Sequence, residues 1–131
     1  MRVKKSFILV CSMLVVLIQG CSTASQLNLT AQDNGKSVSV SNGGQIVVTL
    51  DGNPSTGYTW TAQGLNNDLL KQVGDARFIS SNPGAIGSGG TLTLTFTAEA
   101  TGTTPLTLIY HRPWDKGIAP LQTFTVTVTV K

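Results

Sequence analysis

Reactive side chains are scarce in this chain: its 131 residues include two cysteines, one histidine and six acidic residues. A hydrolase or transferase needs a nucleophile with a base at hydrogen-bond distance, or a metal held by three or more ligands. His111 has only Asp115 near it in sequence, with no activated serine beside them. Its expected role is that of a strand-end residue that orients the loop after it. Asp33, Asp51, Asp68, Asp75, Glu99 and Asp115 are scattered along the chain, so neither a metal site nor a cofactor is expected, and the protein does not read as an enzyme.

A long apolar run is also missing. Phe7 to Ile18 is too short to span a bilayer comfortably. With Arg2, Lys4 and Lys5 before it and Gly20-Cys21 after it, the segment 1–20 reads as a secretory signal. Ile18-Gln19-Gly20-Cys21 is similar to a bacterial lipobox, in which the cysteine is lipidated and becomes the new N-terminus. The expectation is a lipid on Cys21, a short polar tether over 21–26, and a domain over 27–131 held close to the membrane of the bacterial cell envelope. Ordinary secretory cleavage is the alternative. Ser22 after the cysteine favours the outer membrane in a Gram-negative cell.

Cleavage there changes the global balance. Nine basic residues face six acidic ones in the whole chain, but Arg2, Lys4 and Lys5 leave with the signal, so six face six. With no net positive charge and no Lys/Arg cluster, nucleic acid is not an expected partner. Cys11 also leaves and Cys21 carries lipid, so no pair remains for an internal disulfide. The 111 residues after position 20 amount to one modest domain, expected to be a monomer stabilised by packing alone.

Strict alternation fills that domain. TLTLTFT over 91–97 places Leu92, Leu94 and Phe96 on one face and threonines on the other, and FTVTVTV over 124–130 repeats the parity. Further strands are expected over 36–40, 45–50, 58–63, 69–73, 76–80 and 104–111, and no segment has a helical period. Between them lie turn-prone clusters: Asn42-Gly43-Gly44, Asp51-Gly52-Asn53-Pro54, Asn82-Pro83-Gly84, Gly102 and the 113–120 stretch. Seven to eight short strands with this punctuation predict an all-β fold, an immunoglobulin-like antiparallel β-sandwich, with a small barrel as the alternative. Trp60 is expected to be the core tryptophan, with Tyr58 sharing its parity.

Three junctions need more explanation than a turn does. NPSTGYTW, Asn53 to Trp60, crowds turn residues and hydroxyls against two large aromatics. The run Pro83-Gly84-Ala85-Ile86-Gly87-Ser88-Gly89-Gly90 lacks the Lys-Ser/Thr of a phosphate loop and opens a strand rather than a helix. It reads either as a flexible hairpin loop or as a backbone surface that another protein can approach closely. Arg112-Pro113-Trp114 follows a strand, and Trp and Arg are the residue types most enriched at interface hot spots. A contact in the core is the other reading of Trp114.

Taken in order, NPSTGY over 53–58, GSGG over 87–90 and RPW over 112–114 resemble the three signature loops of the chagasin family, protein inhibitors of papain-like cysteine peptidases. Ser55 departs from that pattern, which has threonine there. The resemblance implies an immunoglobulin-like fold with the three loops side by side at one end, forming a wedge that blocks the peptidase cleft reversibly and without covalent chemistry. It implies peptidase contacts by Asn53, Pro54, Ser55, Thr56, Gly57 and Tyr58, flanked by Gly87, Ser88, Gly89 and Gly90 on one side and Arg112, Pro113 and Trp114 on the other. Ser55, Thr56 and Gly57 would lie nearest the catalytic cysteine and histidine. The competing expectation is an envelope lipoprotein whose sandwich binds a sugar or protein, or serves only as structure.

Overall fold

The computed structural model describes residues 25–131. The expected signal and tether residues 21–24, Cys21 among them, lie outside them. Nine strands occur among the described residues: β1 (Gln26–Thr30), β2 (Ser37–Val40), β3 (Gln45–Gly52), β4 (Thr59–Gln63), β5 (Leu70–Gln72), β6 (Arg77–Ser80), β7 (Gly90–Ala98), β8 (Gly102–His111) and β9 (Gln122–Val130). Two single-turn 3-10 helices, Ala31–Asp33 and Pro54–Thr56, interrupt them.

The strands form two sheets. One has the order β1-β3-β7, with β5 and β6 following each other along the far edge of β7; the other has the order β2-β9-β8-β4. Inward-facing rows from both make one core, including Ile46, Val48, Leu92, Leu94 and Phe96 from the first sheet and Leu106, Leu108, Phe124, Val126 and Val128 from the second. Each such side chain contributes roughly 1.5–3 kcal/mol by leaving water. The threonines between them on β7 and β9 face outward, as the alternation requires.

The sandwich agrees with the expectation from sequence, and two of its pairings are parallel. β1 pairs with β3 and β2 with β9 in parallel, while every other pair is antiparallel. The reason is the path of the chain: after β1 it crosses at Ala31–Asp33 to the opposite sheet, so β1 and β2 cannot close a hairpin. Asp33 holds that crossing by accepting from the Thr30 amide, and this hydrogen bond keeps its carboxyl below the usual carboxylate range. β1 has only Leu27 and Leu29 to signal it, and it takes in Gln26, a residue expected in the tether.

Register gives the sandwich two unlike ends. Gly52 pairs with Gly90, Ser80 with Gly90, Thr59 with His111, and Tyr110 with Gln122, so the connections 53–58, 81–89 and 112–121 all leave from one end. Gln26 pairs with Gln45, and the Asn42 amide donates to the Lys131 carbonyl, so both ends of the described chain lie at the other. The eight residues of β3 separate the two ends by roughly 25 Å.

Candidate functional site

The central loop is built around Asn53. Its side-chain oxygen accepts from the Ser55 amide at 3.1 Å and from Ser55 Oγ at 2.5 Å, capping the 3-10 turn that Pro54 opens. Proline suits that first position because it has no N–H to leave unpaired. Gly57 closes the turn in the left-handed region at φ 85°, with its amide donating to the Pro54 carbonyl. Thr56 bonds back with both its amide and its hydroxyl to the Asn53 carbonyl, at 3.1 and 2.6 Å.

Below the loop stands a column of aromatic rings. Trp60, 4% exposed, lies directly across the β4–β8 ladder from Tyr110, their ring centroids 5.1 Å apart. Tyr58 continues the column at 5.3 Å from Tyr110, and the Arg112 guanidinium caps it at 4.6 Å above the Tyr58 ring. Polar tips of the column hold the stems: Trp60 Nε1 donates to the Asp51 carbonyl at 2.9 Å, and the Tyr110 hydroxyl accepts from the Asn53 amide at 3.0 Å. The central turn thus rests on a stiff stalk that reaches into the core.

Both flanking loops attach to this turn. Asn53 Nδ2 donates to the Gly87 carbonyl at 3.0 Å, joining the glycine loop. From the other side, Arg112 Nε donates to the Thr56 carbonyl at 3.1 Å. The Trp114 indole lies on the Cα of Gly57, where a Cβ would collide with its ring. Trp114 is nonetheless 66% exposed, so one face of the indole is seated while the other is open to solvent. The three loops therefore form one ridge, Gly87 to Asn53 to Gly57 to Trp114.

Two of the glycines are required by contacts within their own chain, whereas Gly87 and Gly89 of the glycine loop have room where a Cβ would stand. Gly57 is required by its positive φ and by Trp114. Gly90 lies within β7, and a Cβ there would strike the Ile79 carbonyl. Gly89, by contrast, has ordinary room, 3.8 Å to the Gly52 carbonyl. Ser88 is turned into its own loop, 2.9 Å from Ser80 Oγ and 3.3 Å from the Asn82 carbonyl.

His111 ends β8 with its Nε2 at 2.7 Å from Thr61 Oγ1 on β4, an attachment that fastens the strand from which the Arg112 loop departs. Asp115 bonds to the Arg112 carbonyl through its amide. Reasoning from sequence did not single out Tyr110, which joins the core to Asn53. A signal was available: it is the one tyrosine in the inward row Leu106, Leu108, Tyr110, and a buried tyrosine requires a partner for its hydroxyl.

Comparison with known proteins bears on the family and the fold. The family model described as "Chagasin family peptidase inhibitor I42" matches residues 39–128. Amoebiasin-1 of Entamoeba histolytica is 33% identical over 108 residues, which cover 80% of this chain and all of that protein. Chagasin of Trypanosoma cruzi is 29% identical over 102 residues, covering 75% and 92%. Among solved structures, the crystal structure of a cysteine protease inhibitor from Entamoeba histolytica superposes with a TM-score of 0.70 at 26% identity, covering 82% of this chain and 96% of the other.

Proposed function

The chain belongs to the chagasin family of peptidase inhibitors, and from that premise we propose how it works: the ridge enters the cleft of a papain-like cysteine peptidase and excludes substrate sterically, reversibly and without a covalent step. The observation that carries this reading is the internal bonding of the three loops, which holds the ridge in shape before any partner arrives. A surface already ordered loses little conformational freedom on binding, so more of the contact energy appears as affinity.

Resistance to cleavage follows from the same bonds. A peptidase must place the scissile carbonyl in its oxyanion hole with the oxygen free to accept hydrogen bonds. In the central turn the Asn53 carbonyl is taken by Thr56, the Pro54 carbonyl by Gly57 and the Thr56 carbonyl by Arg112. Attack at any of these requires breaking a bond within the inhibitor and extending a 3-10 turn. In this arrangement Ser55, Thr56 and Gly57 face the peptidase's catalytic pair, the glycine loop lies against one wall of the cleft, and the open face of Trp114 lies against the other. A standard interface of roughly 800 Å² per partner accommodates all three loops.

Titration of the purified protein against a panel of papain-like peptidases tests the proposal. Expected is inhibition that reverses on dilution, with the inhibitor intact by mass spectrometry. Full peptidase activity at micromolar inhibitor sinks it, and progressive cleavage within 53–58 turns the inhibitor into a slow substrate.

Lipidation at Cys21 is part of the same proposal. Support comes from the lipobox-like segment and from β1, which enters the domain at the end opposite the ridge, so an anchor there leaves the ridge facing away from the membrane. Cys21→Ser should move the protein from the detergent phase to the aqueous phase in a detergent partition. Wild type found wholly in the aqueous phase refutes the anchor.

A further inference from the structure

The loop that carries Trp114 runs on past it through seven residues before β9, and it exposes two more large apolar side chains, Ile118 at 66% and Leu121 at 62%. Neither belongs to the three signature stretches. We propose that Ile118 and Leu121 form a ledge that takes an apolar side chain on the rim of the peptidase, outside its cleft, and that this ledge sets which peptidases are inhibited. The inference rests on the inhibitor reading above and specifies its partner.

Position supports it. With Ala119, the two residues form the apolar side of a hollow of about 40 Å³ whose other side is His111, Asp115 and the pair that tops the aromatic column, Tyr58 and Arg112. The ledge is therefore continuous with the central loop. A contact patch of roughly 800 Å² is a disc of about 16 Å radius. Ile118 is four residues from Trp114, at most about 14 Å even along a fully extended chain, and Trp114 itself touches Gly57 at the centre of the ridge. Because Ile118 and Leu121 line the same small hollow as Tyr58, the residue next to Gly57, a patch of that radius centred on the ridge takes in the ledge.

Presentation supports it as well. Leu121 donates its amide to the Tyr110 carbonyl at 2.9 Å, and Asp115 donates to the Arg112 carbonyl at 3.0 Å, so the loop is tied at both ends. Together with the open face of Trp114, Ile118 and Leu121 extend the apolar surface exposed on this side of the ridge. Discrimination follows because an apolar rim residue gains by leaving water against the ledge, whereas a charged one loses its hydration there without a partner. Peptidases that offer an apolar rim residue should be held tightly, and those that offer a charged one should not.

The test compares wild type with the Ile118→Ser/Leu121→Ser double variant across the peptidase panel, with thermal melts of both. Expected is at least tenfold weaker inhibition of the peptidases that wild type inhibits best and little change for the rest, so that the spread across the panel narrows while the melt is unchanged. Inhibition constants within twofold of wild type throughout, or a uniform loss across the panel, overturn the proposal. If wild type inhibits no member, the inhibitor reading itself has failed and takes this inference with it. A second measurement needs no variant: amide exchange at Gly117, Ile118 and Ala119 in wild type should slow when a tightly inhibited peptidase is added, and unchanged exchange overturns the proposal independently.

Discussion

Stem and tip of the ridge each use one tryptophan, and the two do different work. Trp60 sits in the stem, 4% exposed, stacked on Tyr110 and bonded to the Asp51 carbonyl. Trp114 sits at the tip, 66% exposed, with one face on Gly57 and the other in water. The stem indole uses its whole surface on the fold, whereas the tip indole uses one face to hold its loop and leaves the other in solvent, where the proposed peptidase would meet it. Rigidity is built in the core and exported to the tip through the rings of Tyr110 and Tyr58.

Variants at four positions probe this division, and the largest effect is expected in the stem. Trp60→Ala leaves a cavity in the core and should cost about 3–5 kcal/mol of stability, read as a large drop in melting temperature. Trp114→Ala should do the reverse. The melt should stay nearly constant while peptidase inhibition weakens roughly 30-fold, the equivalent of about 2 kcal/mol for an interface hot spot. If Trp114→Ala instead melts the domain and inhibition per folded molecule is unchanged, the distinction between stem and tip collapses.

Gly57→Ala comes next, because it acts on the contact between the regions. An alanine at φ 85° costs about 1–2 kcal/mol of backbone strain, and its methyl group also evicts the indole from its seat. Lower stability together with weaker inhibition is expected. Trp114 fluorescence should shift to that of a fully hydrated indole, and an unshifted spectrum shows that the seat is unimportant. The smallest effect is expected from Tyr110→Phe, which keeps the ring stack and removes only the acceptor for the Asn53 amide. Roughly 1 kcal/mol of stability is at stake, read as a drop of a few degrees in the melt together with a few-fold weaker inhibition as the central turn loosens. A purely structural Tyr110 hydroxyl would move the melt alone.

Much of this was legible from period and punctuation. Strands such as Gly90–Ala98 and Gln122–Val130 announce themselves because alternation over seven or more residues leaves one face apolar and the other threonine. β1 escaped notice because five residues with two leucines carry little periodic signal, and its parallel pairing with β3 depends on a chain crossing that no local pattern encodes. The internal roles of Gly57 and Gly90 were hidden for a related reason. A glycine in sequence reports only that a Cβ is unwelcome, and the object it would strike, the Trp114 ring or the Ile79 carbonyl, comes from a segment distant in sequence or across the sheet.

Side-chain alternation and turn preference act over a few neighbouring residues, so the two-faced strands, the loops between them and the residue types offered at each junction follow from the order of amino acids. Tertiary structure alone decided that residues 53–58, 81–89 and 112–121 share one end of the sandwich, and that Asn53, Arg112 and Trp114 tie them into one ridge. These ties join positions up to 57 residues apart, as in the bond from the Asn53 amide to the Tyr110 hydroxyl. Hydrogen bonds and ring contacts act over a few ångströms, so such groups meet only after the sheets have paired and set their register.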